Sequence, residues 1–231
     1  MIGIIGAMDV EVASLCSQLQ DKKIEKIGAL EFNSGKLFNK DVVVVKSGVG
    51  KVNAALCAQT LIYKFGVEKI INTGIAGATG EGLQIFDFVV SSKAVYHDFD
   101  VRIFGYKRGQ VPGSETFFEA DETLSDKFLD VFKNSSVSKK HKIQKGIIAS
   151  GDQFIADKSV KNDIVKAFNP LCVEMEGAAI AHACTLNKIP FVIIRCLSDC
   201  ADDSATSVYE FNEQECALMC SELVSNLIKQ I

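Results

Sequence analysis

Short apolar runs typical of buried strands recur along the whole chain, and helical patterns separate them. Ile2–Ala7 leads into an amphipathic series, Val42–Val45 is uninterrupted aliphatic sequence, and Pro190–Leu197 follows a helical segment. Strands that are buried on both faces read as continuous apolar runs, whereas half-exposed strands alternate apolar and polar residues. The pattern therefore predicts an α/β fold with a central, mixed, twisted sheet flanked by helices.

The size and charge of the chain limit its class and its partners. With 231 residues, 48% of them hydrophobic, the chain can build one sizeable core, and we predict a single domain over residues 1–231. The formal net charge is −4 and no basic stripe is present, which argues against a nucleic-acid partner. The first residues contain no basic leader and no apolar run long enough for a membrane span. We expect a cytoplasmic protein that binds neither membranes nor nucleic acids.

The cysteines and histidines are the residues from which a metal site or a disulfide framework would be built. The chain has eight cysteines and three histidines but no CxxC pair, and its cysteines lie in apolar segments. Cys216 and Cys220, for example, lie on the apolar stripe of a terminal helix predicted over residues 210–231. Reduced, buried thiols are the simpler interpretation. We predict no metal and no other cofactor.

The predicted strands share one kind of ending. Near residues 7, 74, 150 and 197 they lead into turns that contain glycine or acidic residues. Gly74–Gly77 is predicted to be a small-residue turn that either exposes backbone N–H groups to a flat ligand or permits close packing. Ser47–Lys51 lacks the full GxxxxGK[ST] pattern, so close approach of its backbone to a ligand is favoured over a phosphate cradle. Because open α/β sheets bind ligands at strand ends, these turns predict one functional edge.

Charged residues interrupt the most apolar part of the chain. Glu174 and Glu176 lie in an otherwise apolar sequence, and Arg195 and Asp199 lie at the end of a predicted strand. Ionised groups are rarely buried without a partner or a function. Structural salt bridges are the alternative interpretation for each acid taken alone. The four residues are nevertheless the best candidates for a functional site.

A long irregular stretch, residues 96–113, contains several aromatic residues, including Phe99 and Phe104. Such stretches in compact domains are lids, binding loops or interfaces, and contact with a partner is the favoured interpretation here. His97 is followed by Asp98 but has no nucleophile beside it in the sequence. We interpret this histidine as a hydrogen-bonded structural residue, without a catalytic role.

Eight short motifs, spread in order over nearly the whole chain, carry a family resemblance. They are Gly3–Glu11, Lys46–Val52, Asn72–Gly77, Tyr96–Asp98, Phe104–Tyr106, Ser150–Asp152, Val173–Glu176 and Arg195–Asp199. Together they resemble the 5′-methylthioadenosine/S-adenosylhomocysteine nucleosidases. Nucleoside phosphorylases share versions of the central motif, but the ordered set is specific. The resemblance implies a homodimer that hydrolyses the bond between adenine and ribose in 5′-methylthioadenosine, S-adenosylhomocysteine and 5′-deoxyadenosine. It also implies a role in methionine salvage.

The resemblance also implies a role for each charged candidate. Breaking an N-glycosidic bond builds positive charge on the sugar and negative charge on the base, so an acid is needed at the base and carboxylates near the sugar. By the resemblance, Asp199 protonates the five-membered ring of adenine, and Ser198 orients the Asp199 carboxyl group. Glu11 activates the attacking water, Glu176 holds the ribose hydroxyls, and Arg195 assists at the water.

A binding pocket for the nucleoside follows from the same resemblance. Adenine stacks on Phe154, and the backbone of Ile155 recognises its Watson–Crick edge. Met175 packs under the ribose. The thioether group is surrounded by Met8, Val49 and Tyr209. Further predicted contacts come from Ile75, Ala76, Gly77 and Glu174. The second subunit supplies a wall made of Val101, Phe104, Tyr106 and Pro112.

Two departures from the family pattern bear on function. Ile75 stands where a serine is usual and cannot hydrogen-bond the attacking water, and Tyr209 stands where a phenylalanine is usual and adds a hydroxyl to the thioether pocket. Two other functions compete with hydrolysis. A phosphorylase on the same fold would have to bring phosphate past the Glu11 carboxylate, which repels it. A non-catalytic adenosine sensor would gain nothing from desolvating three acids.

Overall fold

The structure, a computed structural model, describes residues 1–202 and 205–231. Over these ranges the strands are β1 (Ile2–Gly6), β2 (Gln20–Ile27), β3 (Leu30–Leu37), β4 (Lys40–Lys46), β5 (Lys69–Ala78), β6 (Phe88–Tyr96), β7 (Phe118–Glu119), β8 (Ile143–Ser150), β9 (Cys172–Glu174) and β10 (Phe191–Asp199). The helices are α1 (Asp9–Ser17), α2 (Lys51–Phe65), α3 (Glu122–Lys133), α4 (Lys158–Phe168), α5 (Gly177–Asn187) and α6 (Ala205–Ile228). The predicted fold class, a mixed sheet flanked by helices, is confirmed.

All of these strands belong to one sheet. Its order is β10-β6-β8-β9-β5-β1-β4-β3-β2, with β7 beside β6. Because β10 also pairs with β5, the strands β5, β9, β8, β6 and β10 close into a ring, and the others extend from it. The strands β4, β1, β5 and β10 are successive parallel neighbours. Their C-terminal ends therefore meet at one edge of the sheet, as the turn residues predict.

Helices cover the two faces of the sheet and form two cores. On one face, α2 and α5 bury small and aliphatic residues such as Leu61 and Ile180. On the other face, α1, α3 and α6 bury residues such as Leu15, Phe128 and Leu223. Strand β10 is buried along its whole length between these layers. Charged side chains on β10 are consequently removed from water, which makes their pairing decisive for stability.

The segment Gly74–Gly77 is not a turn, and that prediction is wrong. Strand β5 continues through it and ends at Ala78. The glycines are explained by the side chains that approach them, because a Cβ on Gly74 would lie 2.4 Å from Glu11 Oε1 and one on Gly77 would lie 2.8 Å from Asp199 Oδ1. These glycines leave the space in which the two carboxylates approach the strand backbone.

Strands β2 and β7 and helix α4 have no counterpart in the sequence prediction. Strand β2 is exposed along nearly its whole length and forms the outer edge of the sheet, so it has no apolar signal. Helix α1 ends at Ser17, shortly before β2 begins at Gln20. Helix α4 does carry signals, namely the side-chain cap of Asp157 at its start and the left-handed Asn169 at its end.

The ends of two further elements also differ from the prediction. Strand β6 continues to Tyr96, so it takes the start of the irregular stretch, residues 96–113, into the sheet. The terminal helix was expected over residues 210–231 and instead spans Ala205–Ile228. Residues of both elements pack in the core, and local sequence does not report such contacts.

The cap of α3 provides a test of helix stability in this fold. The Asp121 carboxylate accepts a hydrogen bond of 2.8 Å from the Leu124 N–H. We expect Asp121→Ala to lower the free energy of unfolding in urea by about 1 kcal/mol, and Asp121→Asn to change it by only a few tenths. Asp126→Ala, which removes an exposed ion pair with Lys145, is the matched control and should cost at most about 0.5 kcal/mol. Equal losses for Asp121→Ala and Asp126→Ala would contradict the cap.

Candidate active site

A cleft opens at the C-terminal ends of β1, β5, β9 and β10. Its described lining consists of Ala7, Met8, Glu11, Val49, Ile75, Ala76, Gly77, Phe154, Val173, Glu174, Met175, Glu176, Ser198, Asp199 and Tyr209. Ile155 lines a small adjoining recess that shares Phe154 and Asp199 with the cleft. The fold thus brings every residue predicted within one chain, except Arg195, to this cleft and its recess. Ala7 and Val173 are additions that only the structure identifies, because neither carries a chemical signal.

Glu11 occupies the first turn of α1, immediately after β1. Its carboxylate accepts hydrogen bonds from the N–H groups of Ala7 at 2.6 Å, Met8 at 3.0 Å and Ile75 at 3.1 Å. Burial raises the pKa of Glu11, while Arg195 and these N–H groups lower it, with a net rise. The result is a buried carboxylate with a fixed orientation and increased basicity, which suits a general base.

Glu174, at the end of β9, is the main partner of Arg195. The two form a very short contact in which both side chains are almost completely buried. The Glu174 carboxylate also accepts from the hydroxyl of Ser150 and from the backbone N–H groups of Glu176 at 3.1 Å and Gly177 at 2.8 Å. Glu174 lines the cleft as predicted, but its oxygens are occupied by protein donors.

Arg195 lies beneath the cleft floor and not in its lining. Its guanidinium donates to Asn72 Oδ1 at 2.7 Å and to the Ile194 carbonyl at 3.2 Å, besides Glu174. Burial works against the charge of Arg195, but Glu174, Glu176 and Glu11 outweigh it and raise its pKa. The guanidinium therefore remains charged and compensates several carboxylates from below.

Glu176 is at the N-terminus of α5. Its Oε1 accepts a 2.9 Å hydrogen bond from the Gly50 N–H, and its Oε2 lies 3.9 Å from the Arg195 guanidinium. Burial, followed by repulsion from Glu174, raises the pKa of Glu176 to about 7. This carboxylate therefore changes protonation close to neutral pH and is sensitive to its hydrogen-bond donors.

Asp199 ends β10 at the opposite side of the cleft. Its Oδ1 accepts from the Ala201 N–H at 2.7 Å, and its Oδ2 accepts from the Ser198 hydroxyl at 2.8 Å. Burial raises the pKa of Asp199 despite these two donors. A carboxyl group in this environment is a candidate general acid, since burial favours its protonated form.

Apolar and aromatic side chains form the rest of the cleft. Phe154 is 47% exposed, and its ring meets that of Tyr209 edge to face with centroids 5.5 Å apart. The Tyr209 hydroxyl donates to Glu213 at 2.9 Å and lies 3.3 Å from the Met8 sulfur. The hydroxyl that distinguishes Tyr209 from phenylalanine is thus hydrogen-bonded to a neighbouring carboxylate. Tyr209 contributes to the wall of the cleft through its ring.

The residues predicted to come from a second subunit lie away from the cleft of their own chain. Val101, Phe104, Tyr106 and Pro112 do not contribute to its described lining. Phe104 is 76% exposed, so its ring is not covered by its own chain. Part of this stretch forms a short 3₁₀ turn, Arg102–Phe104.

The described residues lack two kinds of feature. Within residues 1–202 and 205–231, no group of three or more histidine, cysteine, aspartate and glutamate side chains has an arrangement that would hold a metal ion. Over the same ranges, no helix combines the length and apolar character needed to cross a bilayer.

Comparison with known proteins identifies the family of the chain. Residues 1–229 match the family described as the Phosphorylase superfamily. A 5′-methylthioadenosine/S-adenosylhomocysteine nucleosidase of Staphylococcus saprophyticus is 39% identical over 232 aligned residues, covering 100% of both chains. The crystal structure of the nucleosidase from Neisseria meningitidis, in complex with methylthio-immucillin-A, has a TM-score of 0.96 at 34% identity and covers 100% of this chain and 99% of that one.

A third relative is the nucleosidase of Colwellia psychrerythraea, whose crystal structure contains adenine. It is 40% identical, with a TM-score of 0.95, and the match covers 99% of this chain and 94% of the other. Identity at this level over whole chains, together with nearly superimposable folds, establishes membership and not merely a shared fold. The chain therefore belongs to the family of 5′-methylthioadenosine/S-adenosylhomocysteine nucleosidases, within the phosphorylase superfamily.

Proposed function

We propose that this protein hydrolyses the N-glycosidic bond of 5′-methylthioadenosine and S-adenosylhomocysteine, and also that of 5′-deoxyadenosine. The products are adenine and the corresponding 5-substituted ribose. The observation that carries the proposal is the pairing, in one cleft, of Asp199 at one side with Glu11 and Glu176 at the other, all with raised pKa values. Such a set supplies an acid for the leaving base and carboxylates for the sugar.

The reaction moves one proton to the base and one from water. Protonated Asp199 gives its proton to the five-membered ring of adenine as the bond between C1′ and N9 breaks and its electron pair moves to the base. Water attacks C1′, and Glu11 accepts the proton that the water loses. Ionised Glu176 binds the ribose hydroxyls and stabilises the positive charge that develops on the sugar. The two proton transfers balance, so no other reactant is required.

Arg195 and Glu174 support this arrangement from below the cleft. The guanidinium lies close enough to Glu11 and Glu176 to favour their ionised forms, while the contact with Glu174 fixes its position. Removing one partner of a buried ion pair leaves an uncompensated charge and costs about 3–5 kcal/mol. In this proposal Arg195 and Glu174 are positioning residues, because neither needs to touch the substrate.

Phosphorolysis is the alternative within the superfamily, and the charges of the cleft oppose it. A phosphate at the position of the attacking water would approach the Glu11 carboxylate. Two like charges about 4 Å apart repel by roughly 4 kcal/mol at an effective dielectric constant of about 20. The Arg195 guanidinium, which would otherwise attract phosphate, already donates to Glu174 and Asn72. A binding-only role is also disfavoured, since it leaves three desolvated acids without a function.

The biological setting is part of the proposal. Removal of these thioadenosines would place the enzyme in methionine salvage, in the cytoplasm.

We also propose a homodimer. Its support is the exposure of large apolar side chains: Ile103 and Phe104 in the short 3₁₀ turn are 89% and 76% exposed, and Val52 and Leu56, one turn apart on α2, are 70% and 60% exposed. Exposed apolar groups of this kind mark interfaces. In the dimer, Val101, Phe104, Tyr106 and Pro112 would complete the partner's thioether pocket.

Replacing Asp199 tests the acid. We expect Asp199→Asn to bind methylthio-immucillin-A but to lose about 10²–10⁴-fold in turnover of methylthioadenosine, the range for loss of general acid catalysis. The amide keeps the shape of the side chain and removes its acidic proton. Asp157→Asn, the same change at an exposed helix cap, should stay within twofold of the unmodified enzyme. Near-normal turnover of Asp199→Asn would refute the assigned role.

Product analysis tests the nucleophile. In phosphate-free buffer the enzyme should release adenine and free methylthioribose, as measured by chromatography and mass spectrometry. Glu11→Gln should lose turnover, because an amide does not accept the proton of water. Ile75→Ser should raise the rate if a hydroxyl at this position improves the placement of the water. A methylthioribose 1-phosphate product, or a strict need for phosphate, would overturn hydrolysis.

The dimer is tested at Phe104. We expect Phe104→Ala to raise the Michaelis constant for methylthioadenosine and to weaken association in sedimentation velocity, because the ring belongs to both the interface and the partner's pocket. Leu218→Ala, at a 51% exposed position on α6 across the sheet, is the control and should change neither quantity. The shared pocket is wrong if Phe104→Ala leaves both quantities unchanged.

A further inference from the structure

The loop between β4 and α2 forms one wall of the cleft and bonds one of its acids. Val49 lines the cleft, and the N–H of Gly50 donates to Glu176 Oε1 at 2.9 Å. Gly50 has a φ of +97° and is the N-cap of α2 without any side chain to bond the helix. The loop therefore needs a partner from elsewhere in the fold to hold the start of α2 and to keep this N–H on the carboxylate.

Asp152, just after β8, provides that partner. Its Oδ1 accepts a 2.8 Å hydrogen bond from the Lys51 backbone N–H and so caps α2 in place of a local side chain. Asp98, just after β6, closes the arrangement, because its Oδ2 accepts from Lys51 Nζ at 2.6 Å and from the Asp152 N–H at 2.9 Å. The three residues form a ring of hydrogen bonds that joins three loops.

This ring lies close to the functional groups without contacting the described cleft. Neither Lys51, Asp98 nor Asp152 contributes to the described lining. The Lys51 and Asp98 side chains are only 23% and 18% exposed, so their ion pair is shielded from water to a useful degree. Phe154, which forms the aromatic wall of the cleft, follows Asp152 by two residues in the sequence.

We propose that Asp152, together with Lys51 and Asp98, is a positioning residue that holds the Gly50 N–H on the Glu176 carboxylate. The proposal rests on the proposed function for its significance, but the hydrogen bond it concerns can be measured without turnover. Asp152 acts at a distance: its carboxylate fixes the first turn of α2, and the first turn presents the N–H that orients the sugar-binding acid.

The electrostatics of Glu176 determine the direction in which its pKa should change when the hydrogen bond is lost. The charged groups that influence it are Glu174 on β9, Arg195 on β10 and Glu11 on α1, and the Gly50 N–H is its backbone donor. Burial and the two glutamates raise the pKa of Glu176, whereas Arg195 and the Gly50 N–H lower it. Loss of the N–H alone should therefore raise this pKa further and leave less of the ionised form at neutral pH. Greater access of water would instead lower it.

The test compares Asp152→Ala with Asp152→Asn. The alanine removes the acceptor for Lys51, whereas asparagine keeps an oxygen that caps a helix about as well. The pKa of Glu176 is measured from its carboxyl carbon-13 shift in the ligand-free protein, assigned with Glu176→Gln. We expect an upward shift of about one unit in Asp152→Ala and little change in Asp152→Asn. The acid limb of kcat/KM for methylthioadenosine should shift with it.

Asp163→Ala is the matched control, since it removes a carboxylate that pairs with Arg108 at 2.6 Å near the same loops. It should leave the Glu176 pKa unchanged. A second variant, Lys51→Met, breaks the ring at Asp98 while keeping the backbone N–H, and should raise the pKa by a smaller amount. If thermal unfolding shows that Asp152→Ala does not fold, Lys51→Met provides the test instead.

Three results would overturn the proposal: an unchanged or lowered Glu176 pKa in the folded Asp152→Ala or Lys51→Met protein, an Asp152→Asn protein as altered as Asp152→Ala, or an equal shift in Asp163→Ala. Failure of the proposed function looks different. In that case the unmodified enzyme releases no adenine from methylthioadenosine, while the carbon-13 shifts still report on the hydrogen bond.

Discussion

The buried guanidinium of Arg195 is the interaction on which the rest of the site depends. It carries the positive charge that allows Glu174, Glu176 and Glu11 to approach one another in a dry part of the protein. Buried acids without such a partner would be protonated and would bind neither a cationic sugar nor a proton from water. Helices α1 and α5 and strands β9 and β10 contribute one charged group each, so the charge balance also holds four elements in register.

The environment differentiates acids that are chemically alike. Glu174 is saturated by a guanidinium, a hydroxyl and two backbone N–H groups, and its role is to fix other residues. Glu176 has one backbone donor and a distant guanidinium, and its pKa lies near 7. Asp199 lies across the cleft, where burial favours its protonated form. Separate environments allow one cleft to hold both proton donor and proton acceptors at one pH.

Much of the fold and the membership of the cleft could be predicted from the sequence, because buried parallel strands and acids in apolar sequence leave strong signals. The continuation of β5 through Gly74–Gly77 could not, since glycines that admit a carboxylate and glycines that form a turn look the same in one sequence. Strand β2 has no apolar face, and pairing alone defines it. The pairings of Glu174 with Arg195 and of Asp152 with Lys51 join distant segments, which no local pattern reports.

The closed ring of strands has a consequence for how the chain is made. One flank of β5 pairs with β10, which follows it much later in the sequence, so this hydrogen-bonding edge stays open until β10 has been made. An apolar strand with an open edge is a template for wrong pairing with another chain. Non-local strand pairing is also slow. A partly made chain with this topology therefore exposes one flank of β5 to wrong pairing until β10 has been made.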